Sequence, residues 1–310
     1  MLRYPNLNPN MISIIVPTYN RLALLKKCVD SIFTQQKEGV ELIVVDDSST
    51  DGTAEYLLQL SAENSVVKVI LNKENSGVNF SRNRGIEVAS REFILFLDSD
   101  DSLMSGSLIK IQSALLANKK IKHFLFVVSD RAKEFENVEG NKMVLYKDWL
   151  AGNISGDFTH VVLTSIMKKY LFFEEFRMFE HLNWLRTKKE TAPQLLVNEL
   201  VTQRDRQTAD SLTLSSKLQN AAVIQSKFES EQMYYSLYHK DLKIFSPKSF
   251  DTKLLYTILL GIACNKKDDC KSLINYAGKW SIKALGKIAM LIPGSVIQYG
   301  IIRYSGLKRQ

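Results

Sequence analysis

Three aspartates fall within four positions at Asp98-Ser99-Asp100-Asp101, directly after the apolar run Phe93 to Leu97. Carboxylates at the end of a buried strand lose hydration and repel one another, so they cost stability unless a cation accompanies them. A hard divalent metal carrying phosphate oxygens meets that need. The cluster therefore predicts a nucleotide or another phosphorylated ligand, with the metal held by Asp98 or Asp100.

The segments around this cluster alternate between strand and helix patterns. Ile12 to Val16, Leu42 to Val45, Val66 to Leu71 and Phe93 to Leu97 read as four short strands. Between them, Leu22 to Phe33 places Leu25, Cys28 or Val29, and Ile32 at helical spacing. Gly52 to Leu60, with Asp51 as N-cap, and Phe80 to Ala89 read as two more helices. Strands apolar on both faces predict a parallel sheet covered by helices. Each strand is followed by a polar cluster: Pro17-Thr18-Tyr19-Asn20-Arg21, Asp46-Asp47-Ser48-Ser49-Thr50-Asp51, Asn75-Ser76-Gly77, and the aspartates. In an open parallel sheet all four emerge at the carboxyl edge, where such folds bind ligands. The first turn is not G-x-G-x-x-G, and the chain has no G-x-x-x-x-G-K-[ST], which excludes a dinucleotide fingerprint and an ordinary P-loop.

Beyond residue 120 the pattern is mixed, with one further strand at His123 to Val128 and an aromatic, carboxylate-rich stretch from Phe172 to Arg186. Past about residue 216 it turns helical. His123, His160 and His239 stand isolated and read as structural or surface residues. Cys28, Cys264 and Cys270 lack metal-ligand spacing, and Cys28 reads as a reduced, buried thiol.

The 310 residues carry a net charge of +8, and the excess is concentrated at one end. After Asp269 there is no Asp or Glu, but there are Lys271, Lys279, Lys283, Lys287, Arg303, Lys308 and Arg309. Lys279, Lys283 and Lys287 form one helical stripe among apolar residues broken by Pro293-Gly294. That pattern reads as an interfacial membrane element, beside the plainer readings of a helical subdomain or an oligomer contact. Nucleic acid is disfavoured, because no binding motif accompanies the charge. Met1 to Asn10 is polar with two prolines, unlike a signal peptide, and no run of about 18–20 apolar residues exists. The expectation is a cytoplasmic chain, peripheral on the inner leaflet.

Taken in order, Ile14-Ile15-Val16-Pro17-Thr18-Tyr19-Asn20-Arg21, Val44-Val45-Asp46-Asp47-Ser48-Ser49-Thr50-Asp51-Gly52-Thr53, Asn75-Ser76-Gly77 with Ser81-Arg82-Asn83-Arg84-Gly85, and Phe96-Leu97-Asp98-Ser99-Asp100-Asp101 resemble the family 2 glycosyltransferases, inverting enzymes of bacterial polysaccharide type. The resemblance covers roughly residues 11 to 190. It implies the α/β GT-A nucleotide-diphospho-sugar transferase fold, a mainly parallel sheet between helices. Residues 1–215 would form that domain, with 11–120 binding the nucleotide sugar and 121–215 the acceptor. Residues 216–310 would be a basic helical extension.

The resemblance also implies roles. Pro17, Thr18 and Asn20 would line the nucleobase, with Tyr19 stacking on it and Arg21 beside it. Asp46 or Asp47 would bind base or ribose. Asn75 and Gly77, with Arg82 and Asn83, would flank the nucleotide. Asp98, next to Ser99, would approach the ribose, and Asp100, with Asp98, would ligate a divalent Mn2+ or Mg2+ bridging the diphosphate. Inverting transfer needs a base for the acceptor hydroxyl. Aligned on Trp184-Leu185-Arg186 that base is Glu180, and aligned on the Glu itself it is His181; a carboxylate is the usual type. Where the family often carries a downstream His, Gln203 to Thr213 has none, and Arg204 or Arg206 would meet the phosphates instead. The implied reaction moves a sugar from a nucleotide sugar, UDP-linked by expectation, to a saccharide or lipid-linked glycan in capsule, O-antigen or exopolysaccharide synthesis. The alternative is a degenerate transferase serving as a scaffold subunit.

Overall fold

The computed structural model describes residues 11–35, 38–175, 181–205 and 220–307. Two compact units divide the chain. The first comprises residues 1–146 and 156–208, the second 147–155 and 209–310.

The first unit is built on a nine-stranded sheet. Its strands are β1 (Ile12–Thr18), β2 (Val40–Asp46), β3 (Val67–Leu71), β4 (Phe93–Phe96), β5 (Ser102–Leu103), β6 (His123–Val128), β7 (Lys142–Val144), β8 (Thr159–Leu163) and β9 (Gln194–Gln203). Their order is β3-β2-β1-β4-β8-β6-β9-β5, and β7 also pairs with β9. The main helices are α1 (Leu22–Phe33), α2 (Thr53–Glu63), α3 (Val78–Val88) and α4 (Ser107–Ala117). Three short helices follow in the chain, α5 (Ala132–Phe135), α6 (Tyr146–Ala151), most of which belongs to the second unit, and α7 (Thr164–Lys169). Helix α8 (His181–Thr191) completes the set.

The first four strands are parallel, as the apolar runs predict. β1 registers with β2 from Ile12↔Val40 to Thr18↔Asp46 and with β4 from Ile12↔Phe93 to Ile15↔Phe96. Both long strands are buried along their whole length. Alternation then divides the core. Ile12, Ile14, Val16, Leu42 and Val44 pack with Leu25, Val29, Leu57 and Ile111 on one face. Ile15, Ile43 and Val45 pack with Ile86 and Phe172 on the other. Helix α3 lies so close to β1 that a Cβ at Gly85 would stand 2.6 Å from Ile15 Cγ2.

The second half of the sheet is mixed. β8 runs antiparallel to β4 and β6, β6 runs parallel to β9, and β5 and β7 run antiparallel to β9. β8 and β9 carry Thr159, His160, Gln194, Asn198 and Thr202, so neither has the uniform apolar run that marks the first four strands. Their position between paired neighbours, not their composition, makes them strands.

Glu41 lies buried in the middle of β2. Its Oε1 accepts from Ser13 Oγ (2.6 Å) and the Ser90 amide (2.7 Å), and its Oε2 from Ser90 Oγ (2.9 Å) and Lys68 Nζ (2.7 Å). Burial alone would raise this carboxyl, but the bonds from Lys68, Ser13 and Ser90 outweigh it and hold the group at about 2. A depressed carboxylate stabilises the fold above its unfolded pKa near ~4.3, and that contribution is lost as pH falls through about 2. Glu41→Gln is expected to cost about 2–3 kcal/mol at pH 7. As pH falls from ~4.3 to about 2, the urea midpoint of the variant should also change less than the parent's, because it has no carboxylate left to protonate here. Equal midpoints at pH 7 would remove this role.

In the second unit, α9 (Ala221–Phe245), α10 (Pro247–Ala263), α11 (Lys267–Tyr276), α12 (Trp280–Ala289) and α13 (Gly294–Leu307) follow one another. Asn220 caps α9, its Oδ1 accepting from the Val223 amide at 3.0 Å, and Pro247 opens α10. Gly261 of α10 sits where a Cβ would meet Cys270 Sγ and Phe228 at 2.5 Å. That close approach lets α9, α10 and α11 share one core through Phe228, Leu254, Ile258 and Leu273, all buried.

Candidate active site

The four polar clusters meet at the carboxyl edge of β1, β2, β3 and β4 and are tied together by hydrogen bonds. Asn20 donates its amide to Ser49 Oγ (2.8 Å), and its Oδ1 accepts from the Thr50 amide (2.7 Å). Asp47 accepts from the Ser76 amide (3.0 Å), the Gly77 amide (2.6 Å) and Asn72 Nδ2 (2.8 Å), so its carboxylate shapes the loop containing Asn75. Asp46 is buried and accepts from the Ser49 amide and hydroxyl. Burial raises its carboxyl despite those bonds.

Asp51 does more than the sequence predicts. The α2 N-cap is Gly52, whose φ of +86° suits glycine. Asp51 Oδ1 accepts from the Thr53 amide and hydroxyl at the α2 start, and its Oδ2 accepts from the Leu22 amide at the α1 start (2.9 Å). One carboxylate thus serves two helix N-termini, which favour negative charge.

Each aspartate of the opening cluster faces an arginine from a different part of the chain. Asp98 Oδ1 lies 2.8 Å from Arg82 Nη2, Asp100 Oδ2 lies 2.8 Å from Arg21 Nη1, and Asp101 Oδ2 lies 3.7 Å from Arg204 Nε. Burial would raise the Asp98 carboxyl, but Arg82 prevails and lowers it. Burial and the Asp98 charge raise Asp100 despite Arg21. The same two causes push Asp101 up to about 7 against Arg204. Ser99 between them is buried.

A divalent metal fits this cluster. The donors are hard oxygens, and three carboxylates stand within four positions at the end of one strand, where burial and the neighbouring Asp98 raise Asp100 and Asp101. Among the described residues no three His, Cys, Asp or Glu side chains form a ready cage. Mg2+ and Mn2+ take one or two carboxylates together with ligand oxygens, which Asp98 and Asp100 could supply. At the same edge, the buried Thr18 hydroxyl has no hydrogen-bond partner among the described residues, and Tyr19 is 44% exposed beside it.

Asn83 takes partners other than those the sequence assigns. Its Nδ2 donates to the Phe172 carbonyl (2.9 Å) and Glu174 Oε1 (2.8 Å), and its Oδ1 accepts from the Phe172 amide (2.8 Å). Asn79 Nδ2 donates to the Phe173 carbonyl (2.9 Å), and Asn183 Oδ1 accepts from the Phe173 amide (2.7 Å). Arg186 donates to the Leu171 carbonyl and lies over the Phe173 ring at 4.3 Å. Asparagines of α3 and α8 thus strap down the 171–174 segment. Glu180 lies outside the described residues. His181 is the first residue of α8.

Two features escape sequence reasoning. Arg204 gathers Asp101, Asp130 (3.9 Å) and Asp157 (3.0 Å), and Arg206 lies outside the described residues. The histidines at 123 and 160 are not isolated: His123 Nε2 is 2.8 Å from His160 Nδ1, and His160 stacks on Trp184 at 3.9 Å. Burial, with Lys188 nearby, keeps both rings well below the usual histidine range. Their partners come from separate strands and a helix, so no local spacing announces them. His239 stacks on Tyr276 in the second unit.

The mixed sheet packed between helices, with the polar clusters at its carboxyl edge, has the architecture of the GT-A fold. The family model described as Glycosyl transferase family 2 matches residues 13–176, more than half of the sequence, and the chain belongs to that family. It is 35% identical over 187 residues to the GalNAc(5)-diNAcBac-PP-undecaprenol beta-1,3-glucosyltransferase of Campylobacter jejuni, covering 58% of this chain and 60% of that one. The match thus spans less than two thirds of the relative's length. Among solved structures, the chain superposes on residues 1–349 of S. aureus TarS in complex with UDP with a TM-score of 0.58 at 19% identity, covering 97% of this chain and 92% of that one. It superposes on the mannosyltransferase PcManGT of Pyrobaculum calidifontis, in complex with GDP-Man and Mn2+, with a TM-score of 0.56 at 14% identity, covering 99% and 90%. At these identities the two structures speak to the fold alone.

Proposed function

We propose that this chain is a metal-dependent, inverting glycosyltransferase that moves a sugar from a UDP-sugar to a hydroxyl of a saccharide or lipid-linked glycan. The product belongs to capsule, O-antigen or exopolysaccharide synthesis, assembled at the cytoplasmic face of the plasma membrane. The observation that carries the reading is the meeting of four polar clusters at one sheet edge, where Asp98 and Asp100 pair with Arg82 and Arg21. The undecaprenol-linked acceptor in the Campylobacter relative's name and the UDP in the TarS complex support the acceptor and donor classes.

The base rests on the loop from Pro17 to Arg21, with Tyr19 on its face, and Asp46 and Asp47 set the loops that hold base and ribose. Asn75, Gly77, Arg82 and Asp98 flank the ribose and diphosphate. Asp100, with Asp98, would hold Mn2+ or Mg2+, which when bound neutralises the diphosphate as a leaving group. The acceptor oxygen attacks the anomeric carbon from the face opposite the diphosphate. A new C–O bond forms as the bond to the diphosphate breaks, and the electron pair leaves with the phosphate oxygen. Glu180, or His181 in its place, takes the hydroxyl proton. The 171–174 strap anchors the chain leading to that base.

A panel of nucleotide sugars with Mn2+, Mg2+ or chelator tests the reading by thermal shift and turnover. A bound donor at about 100-fold its Kd stabilises by ~2.7 kcal/mol. The expected result is a UDP-sugar response that the chelator removes. No metal-dependent response to any donor would overturn it.

A further inference from the structure

Helix α12 is apolar on two opposite sides. One side is packed: Gly286 and Ala289 are buried, and a Cβ at Gly286 would lie 3.0 Å from Ile274 and 3.6 Å from Ile258. The other side is open: Trp280 is 81% exposed, Ile288 58%, and Leu291 just beyond the helix 83%. At 3.6 residues per turn, Trp280, Ala284, Ile288 and Leu291 fall within about 80° of one another, facing away from Gly286 and Ala289. Lys283 and Lys287 border this open face, and Lys279 precedes it.

The chain then bends by 108° at Pro293 into α13, where Val296 and Tyr299 are exposed. The bend is anchored, because a Cβ at Gly294 would stand 2.5 Å from the Ile262 carbonyl. A helix apolar on both sides in water is missing a partner on one of them.

Charge names that partner. From Lys271 to the end of the chain every ionisable side chain other than tyrosine is Lys or Arg, so the partner is anionic as well as apolar. No single helix among the described residues is long and apolar enough to cross a membrane. α12 and α13 have the length and apolar composition of a crossing only as a pair, and the 108° bend breaks that pair into segments of 10 and 14 residues, each short of the ~20 that a straight crossing needs. A short amphipathic helix with tryptophan on its apolar face and lysines beside it lies in the plane of a bilayer interface.

We infer that the elbow of α12, Pro293 and α13 is a docking element for an anionic phospholipid surface. Trp280, Ile288 and Leu291 enter the headgroup boundary, and Lys279, Lys283 and Lys287 contact the phosphates. This deepens the membrane-surface part of the reading above and is independent of sugar transfer.

The test uses the full chain, without donor or acceptor, and vesicles of phosphatidylcholine with or without phosphatidylglycerol. Co-sedimentation is expected with the anionic vesicles alone and to weaken with salt. Lys283→Gln and Lys287→Gln should each weaken it about fivefold. Trp280→Ser and Leu291→Ser should each weaken it about tenfold or more. Trp280, Lys287 and Leu291 are exposed and Lys283 is half-buried, so far-UV circular dichroism should be unchanged. The tryptophan emission should shift to the blue on binding, and Trp280→Phe should remove that shift. Equal binding to neutral vesicles, no binding, or binding unaffected by Trp280→Ser and Leu291→Ser would each overturn the proposal. A lipid-independent dimer that Leu291→Ser dissociates, with no vesicle binding, would overturn it in favour of a second copy. Transfer to a water-soluble acceptor that survives the loss of vesicle binding separates failure here from failure of the transferase reading.

Discussion

Asp100→Asn is expected to lower kcat by about a thousandfold or more, with the metal requirement lost and the fold kept. Asparagine preserves the size of the side chain and removes the charge a hard cation needs. Stability should change little, because the pair it breaks is partly open to solvent: the side chains of Arg21 and Asp100 are 22% and 17% exposed. Removing one raised carboxylate also relieves repulsion from Asp98. The loss should therefore appear in turnover and in metal titration, not in Tm. A variant with parental kcat and an unchanged response to Mn2+ or Mg2+ would remove Asp100 from the metal site and with it the central role of the aspartate cluster.

The second large effect concerns the proton. Glu180→Gln is expected to lower kcat by about 10²–10⁴-fold while leaving donor affinity nearly constant, since general-base catalysis contributes on that scale. His181→Gln should then cost far less. The pH profile distinguishes the two residues independently. A carboxylate base gives an acidic limb near ~4.3 and an imidazole base one near ~6.5. If the limb sits near the higher value and His181→Gln carries the loss, the base is His181. Parental turnover in both single variants would exclude this region from proton transfer. The surrounding chain supports the test: Asn79, Asn83 and Asn183 hold Phe172 and Phe173 before position 180, and α8 begins directly after it.

Local pattern carried the fold as far as local pattern reaches. The runs at Ile12, Leu42 and Phe93 are apolar on both faces because a central strand is covered on both sides, and β1 and β2 are buried throughout, whereas β3 lies at the sheet edge with only Val67 buried. β8 and β9 were not legible in the same way. Each is amphipathic or polar in part, and pairing with β4, β6 and β7 is what holds it extended.

The site divides along the same line. Which residue types stand after each strand, and in what order, is legible in the chain alone, because a strand end and the turn beyond it are contiguous. That is why Asp46, Asp47, Asp98 and Asp100 could be placed on one edge before any pairing was known. What each of them touches is a property of the folded chain. Arg21 and Asp100 are 79 positions apart and Arg204 and Asp101 more than 100, and such pairs exist only once β4 lies beside β1 and β5 beside β9. Ion pairs and hydrogen bonds act over about 3–4 Å, a distance fixed by how the strands pack and not by spacing along the chain.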